Sequence, residues 1–287
     1  MTQARLEMKL EDKIAVITGA GRGIGKAISI AFAREGANLV LLSRTLSELK
    51  KTAEEVHSLN RRALILRADV SNEEQVEKSI DSAVREFGMI DILVNNAAIQ
   101  GTIGPLVDND AKKWIETIHI NLIGVFLCCR AVLPHMIKKK RGKIINLSGG
   151  GATSPRPYFS AYGVSKAAVV RLTETLAKEV EPFNIQVNAI APGTVNTQML
   201  HQVLEAGTAA GEDELEHCRQ QLESGGTPAE LPAALALYLA SDESDGLTGR
   251  LISAVWDDWH NMTQRIPIIQ SCELYTLRRM TEKHLWK

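Results

Sequence analysis

An excess of charge of either sign is lacking in this chain. Its 287 residues carry 33 Lys and Arg against 34 Asp and Glu, a formal net charge of -1. Phosphate binding usually needs a basic face, so nucleic acid is not the expected partner. The one basic run, Lys138 to Arg141, suits the C-terminal end of a helix. Cysteine is also scarce. Cys128, Cys129, Cys218 and Cys272 form no C-x-x-C motif, and the first two read as small core residues in "GVFLCCRAVL". No histidines have metal-ligand spacing and no H-E-x-x-H occurs, so no metal is expected. The opening "MTQARLEMKLEDK" lacks the apolar centre of a signal peptide. No stretch reads as the roughly 20 apolar residues of a membrane span. A reducing cytoplasm and no membrane are the expectation.

What is present is alternation. Short β-branched runs at 13–18, 37–43, 63–68, 91–96, 143–148, 185–190 and 250–255 read as strands. Several are apolar nearly throughout, as parallel strands covered on both faces are. Helical patterns fill 23–35, 45–59, 72–87, 111–139, 160–180 and 228–240. Ser71 to Glu74 has the form of a capping box, and Gly36 and Gly88 fall where left-handed caps belong. The order predicts one α/β domain around a doubly wound, seven-stranded, mainly parallel sheet. Two segments break the rhythm: 197–227, acidic and bracketed by glycines, and 256–287 after the last strand.

"VITGAGRGIGKAI" joins the first strand to the first helix. Gly19, Gly23 and Gly25 allow a tight turn and a close backbone approach to a pyrophosphate, with free N–H groups of the helix start facing the anion. At the end of the second strand, Ser43, Arg44 and Thr45 stand where an acidic residue would favour NAD. An Arg beside hydroxyls suits a 2′-phosphate, so NADP is expected in preference to NAD. Tyr162 and Lys166 are one helical turn apart and share a face. A tyrosine titrates near 10, and a neighbouring ammonium would lower it toward use as a general acid/base.

With that loop, "NNAA" at 95–98, Asn121 and "YGVSK" at 162–166 in order, the chain resembles the short-chain dehydrogenase/reductase family over roughly residues 9–255. It is similar in style to the 3-oxoacyl-carrier-protein reductase and sugar-alcohol dehydrogenase branches. The resemblance implies a Rossmann domain and hydride transfer between NAD(P) and a carbonyl or secondary alcohol. It implies cofactor contacts from Gly19, Gly21, Arg22, Gly23, Ile24 and Gly25, from Ser43 and Arg44, and from Asp69 and Val70. Further contacts are implied from Asn95, Ala97, Tyr162, Lys166, Pro192, Gly193, Val195 and Thr197. Tyr162, Lys166 and Asn121 match three of the family's four catalytic residues, with Asn121 orienting a water that links Lys166 to solvent. It also implies a homodimer or homotetramer paired through helices 111–139 and 160–180.

The family's serine is missing. Its position is Gly149, and Ser148 is one residue early, on the opposite face of a regular strand. Three readings stand. The Gly149–Gly151 backbone could hold the substrate oxygen itself; Ser148, Thr153 or Ser154 could supply the hydroxyl; or the protein could bind cofactor and turn over little, as a sensor or scaffold. Gly149→Ser is expected to be tolerated. Residues 197–227 should form a lid over the site; the carboxylates of "GEDELEHC" read as a solvated helix face, which could still disfavour an anionic substrate if the segment is a lid. The tail, with Trp256, Trp259, Tyr275 and Trp286, should cap the site or meet a partner subunit.

Overall fold

A computed structural model describes residues 8–280; Trp286 lies outside them. Seven strands form the sheet: β1 (Ile14–Thr18), β2 (Asn38–Ser43), β3 (Ala63–Arg67), β4 (Ile92–Asn95), β5 (Gly142–Leu147), β6 (Ile185–Ala191) and β7 (Leu251–Ser253). Their order is β3-β2-β1-β4-β5-β6-β7 and every pairing is parallel. The expected "mainly parallel" sheet is therefore wholly so. β1, β4 and β5 are buried along their whole lengths, which explains their largely apolar runs, while Asn95, Lys143 and Asn146 are buried with hydrogen-bond partners.

Helices cover both faces. On one side lie α1 (Gly23–Arg34), α2 (Leu46–Ser58) and, near the end of the chain, α9 (Glu230–Ala240). On the other lie α3 (Glu73–Phe87), α5 (Gly124–Lys139) and α6 (Ser160–Val180). α3 starts one residue later than the expected capping box. Asn72 accepts from the Gln75 N–H at 3.0 Å, while the Ser71 hydroxyl turns back to Asp69. The helix expected at 111–139 is not continuous. α4 (Ala111–Ile118) passes into a π turn, His119–Ile123, before α5. Such a widened turn often marks a functional site, and Asn121 lies within it.

Against expectation, Ala111–Lys139 is long and apolar enough to span a membrane by length and composition. Here it is a core helix. Val125, Cys128, Cys129, Val132 and Met136 bury against the sheet and α3.

The strand order reverses between β1 and β4, where their connections leave to opposite faces. A crevice opens there beyond the carboxyl ends of the strands, the usual ligand position in such sheets. The lid segment forms α7 (Gln198–Glu205) and α8 (Glu212–Glu223) over that end. Gly207, Gly211, Gly225 and Gly226 all have positive φ at its turns.

The tail winds back onto α9. Trp259 is 5% exposed, stands 6.1 Å from the Tyr238 ring and donates its indole N–H to Ala254. Met262, Ile266 and Ile269, the last two on α10 (Ile266–Gln270), join the same core. Trp259→Ala should therefore cost about 3–5 kcal/mol of stability, read by urea unfolding. A loss below about 1 kcal/mol would mean that the tail is not held by this ring.

Candidate active site

Two cavities meet at the carboxyl end of the sheet. The first, about 410 Å³, runs from the glycine loop past Ser43, Arg44, Asp69 and Val70 to Asn96–Ile99. The second, about 610 Å³, lies under the lid and is lined by Gly149–Gly151, Tyr162, Pro192, Gly193 and Val195. Ile24, Thr197 and Met199 line both, so they share a wall.

The first cavity fits a dinucleotide. Gly19 has φ +64°, and a Cβ there would come within 2.8 Å of the Asn96 amide. Gly23 has φ +54°. No side chain caps the start of α1, so its first N–H groups are left for an anion. Gly25 does not line the cavity, unlike its expected role. A Cβ there would lie 2.2 Å from the Gly19 carbonyl, so this glycine lets α1 pack against the loop.

Arg44 pairs with Asp69 at 3.7 Å and Arg22 with Glu48 at 3.4 Å, both guanidinium groups more than half exposed. Burial pushes the Asp69 carboxyl up, but the Ser71 hydroxyl and N–H and the Arg44 charge outweigh it and hold it below its usual range.

Asn95 is not a cofactor contact. It is 3% exposed, absent from the cavity walls, and donates to Asn146 at 2.9 Å. Asn146 in turn donates to Thr173 at 2.8 Å. Strand alternation turns Asn95 toward α5 and α6 and leaves the cavity to its neighbour. Asn96, which sequence reasoning passed over, lines the cavity and donates to the carbonyls of Thr18 and Gly19. The Thr18 hydroxyl accepts from the N–H groups of Asn96 and Ala97, both at 3.0 Å. The doubled asparagine was the available signal, since one of two adjacent strand residues must face each way.

Tyr162, 8% exposed, lies at the floor of the second cavity. A Cβ on Gly149 would stand 2.7 Å from its hydroxyl. Burial pushes the phenol up, and the opposing pull comes from Arg156, whose guanidinium is 5.8 Å from the ring centre. This differs from the expected pairing with Lys166. The Lys166 Nζ is 5.5 Å from the ring centre and donates to the Leu147 carbonyl at 2.8 Å.

The Asn121 side chain is committed elsewhere. It accepts from the Ile99 N–H at 2.8 Å and donates to the Ile99 carbonyl and the Ser165 hydroxyl. It fixes the loop after β4 rather than reaching Lys166. Ser148 is also misplaced for the role considered for it. At 2% exposure it donates to the Lys166 carbonyl and lines neither cavity, because β5 stays regular to its end. Thr153 and Ser154 do line the second cavity. The N–H groups of Gly149, Gly150 and Gly151 have no backbone acceptor among the described residues.

Residues 13–207 match the model of the short chain dehydrogenase family. The chain belongs to that family. It is 38% identical to the 3-oxoacyl-acyl-carrier-protein reductase FabG of Thermotoga maritima, over 85% of this chain and 97% of the relative. It is 37% identical to 3beta-hydroxysteroid dehydrogenase 1 of Eggerthella lenta, over 84% and 91%. Among solved structures, NAD+-bound xylitol dehydrogenase superposes with a TM-score of 0.80 at 31% identity, covering 85% of this chain and 98% of that one. Carveol dehydrogenase from Mycobacterium avium, in complex with NAD, gives 0.77 at 29%, covering 85% and 96%. The protein is thus an NAD(P)-dependent oxidoreductase of the alcohol–carbonyl class.

Lys166 gives a stability test. Burial pushes its ammonium down from 10.5 to about 8. Below that pH, folding must bury a charge that the unfolded chain keeps in water. The penalty is full below pH 8, about 3 kcal/mol for that shift, and fades as pH rises toward 10.5. The bond to Leu147 offsets on the order of 1 kcal/mol. Lys166→Met should therefore be more stable than wild type at pH 7 by about 2 kcal/mol, with the advantage gone near pH 10.5. Urea unfolding at the two pH values checks this, and a less stable variant at pH 7 would contradict it.

Proposed function

We propose that the chain reduces a carbonyl, or oxidises the matching secondary alcohol, with NADP(H) as preferred cofactor and Tyr162 as the group that carries the proton. The observation that supports this most is the place of the Tyr162 hydroxyl. It faces the second cavity, against bare glycine backbone, close to the wall shared with the cavity that fits a dinucleotide. The bound nicotinamide gives or takes the hydride. Tyr162 then protonates the oxygen of the reduced substrate, or accepts the proton of an alcohol.

Lys166 is buried beside Tyr162 and lines neither cavity, so to hold the nicotinamide ribose and return the proton its ammonium must leave the Leu147 carbonyl. Asn121 serves as a positioning residue, since its amide locks Ile99 and Ser165. The work of the missing serine falls to the free N–H groups of Gly149–Gly151, with Thr153 and Ser154 on the same wall. The preference for NADP rests on Arg44 and Arg22, two exposed and loosely paired guanidinium groups at the ribose end.

Four free cysteines, three of them buried, suit a reducing cytoplasm. Ile115, Phe126 and Val164 are roughly half exposed on α4, α5 and α6, which supports pairing through those helices in a homodimer or homotetramer.

Tyr162→Phe should bind NADPH normally and lose at least about a hundredfold in turnover of any carbonyl accepted by wild type. Retained turnover would remove Tyr162 from the reaction. Gly149→Ser, expected from sequence to be tolerated, should instead displace the phenol, because its Cβ would press on the hydroxyl at 2.7 Å. A drop in kcat with unchanged NADPH affinity is the expected result, and wild-type kcat would contradict it. Arg44→Ala should lower kcat/KM for NADPH about 10–100-fold and for NADH much less. A wild-type preference for NADH would overturn the cofactor assignment.

A further inference from the structure

Arg156 belongs to no cofactor contact and to no step of the proposed reaction, yet it lines the substrate cavity. Its side chain is 20% exposed and lies over the Phe159 ring at 3.8 Å. The glycine turn lies in ordinary contact with it. A Cβ on Gly150 would touch its Cδ and Nη1 at 3.7 Å, and one on Gly151 would meet its Cβ at 3.4 Å. The guanidinium is thus held between the Tyr162 ring and the lid.

On the lid side its Nη2 donates to Glu214, in the first turn of α8. Its Nε and Nη1 have no acceptor among the described residues. The same cavity holds a second spare donor. Gln100 is 4% exposed and its Nε2 is buried without a partner. The glycine N–H groups add more. The cavity's carboxylates are already engaged. Glu214 is paired with Arg156, and Asp257 accepts from the Ser253 N–H at 2.7 Å. Donors in surplus call for a ligand rich in acceptors.

Resting on the reading of this cavity as the substrate site, we propose that the substrate is an oxo acid or its hydroxy acid, and that Arg156 receives its carboxylate. Planar guanidinium matches a carboxylate with two parallel hydrogen bonds. Glu214 is its stand-in: it neutralises Arg156 until substrate arrives and is exchanged for the substrate's carboxylate. The lid carboxylates therefore do not bar an anion, since the one that lines the cavity, Glu214, is paired. Only Glu214 and Asp257 reach the cavity, and each has a partner.

The test pairs acids with their methyl esters. Levulinate and acetoacetate, each beside its ester, are reduced with NADPH by wild type, Arg156→Gln and Glu214→Gln. Wild type should favour acid over ester by at least about tenfold. Arg156→Gln should lose about 10–100-fold in kcat/KM on the acids and little on the esters. Glu214→Gln should lower KM for the acids, an effect that a merely structural ion pair would not give. Equal use of acid and ester by wild type, or equal losses on both in Arg156→Gln, would overturn the proposal.

Calorimetric binding of levulinate to the enzyme–NADP+ complex, which cannot turn over, separates this from the reaction itself. No binding, or binding unaffected by Arg156→Gln, overturns the carboxylate site even if neutral ketones are reduced. Binding that weakens in Arg156→Gln, with no carbonyl turned over, supports the site and counts instead against Tyr162 as the proton carrier.

Discussion

The Tyr162 phenol rests against Gly149 so closely that no side chain fits between them. β5 delivers Gly149 to that place two residues past its end at Leu147, and α6 delivers Tyr162 from the other direction. The remaining contacts follow from this one. Ser148, a residue earlier, is sent to the opposite face, where it joins the carbonyl of Lys166. Gly151, two residues later, has φ +87° and passes so close to Gly163 that a Cβ would stand 2.9 Å from its Cα. Phe159 and Tyr162 then present an apolar face to Leu200, Val203, Leu215 and Cys218 of the lid. That packing, with the Arg156–Glu214 pair, forms one wall of the second cavity.

The cofactor crevice depends on a second small hub. Thr18, at the end of β1, binds the chain leaving β4 through two N–H groups, and Asn96 reaches back to the glycine loop. The two strand ends on either side of the reversal point are thereby fixed to each other. The glycine loop keeps its shape by these bonds, and the uncapped start of α1 faces the space they define. Asn121 extends the frame by holding Ile99 from within the π turn. The two cavities are thus supported from different strands but share one wall at Ile24, Thr197 and Met199.

Much of this was legible in the sequence. Strand and helix positions follow from apolar runs and their caps, because burial on both faces leaves a plain periodic mark. Tyr162, the glycine loop and the displaced serine follow from spacing. What was not legible depends on which way single side chains turn. Asn95 and Asn96 are alike in composition, and only the register of β4 decides which reaches the crevice. The bonds of Asn121 to Ile99 and Ser165 were not foreseen, since the π turn that aims it has no clear local signature. Arg156, which follows the Gly149–Gly151 turn by five residues, has no motif around it. Its meaning comes from Glu214, 58 residues away in the lid, and no local pattern connects the two. The tail's hold on the core through Trp259 is likewise a long-range packing fact.

The central claim is that hydride from the cofactor and a proton from Tyr162 reach adjacent atoms of one carbonyl. Single-turnover reduction with NADPH deuterated at its transferable position, in ordinary and in heavy water, tests it most directly. The account predicts deuterium on the carbinol carbon, with the same step slowed by both the labelled cofactor and heavy water. Deuterium found anywhere else, or a rate indifferent to heavy water, would contradict it.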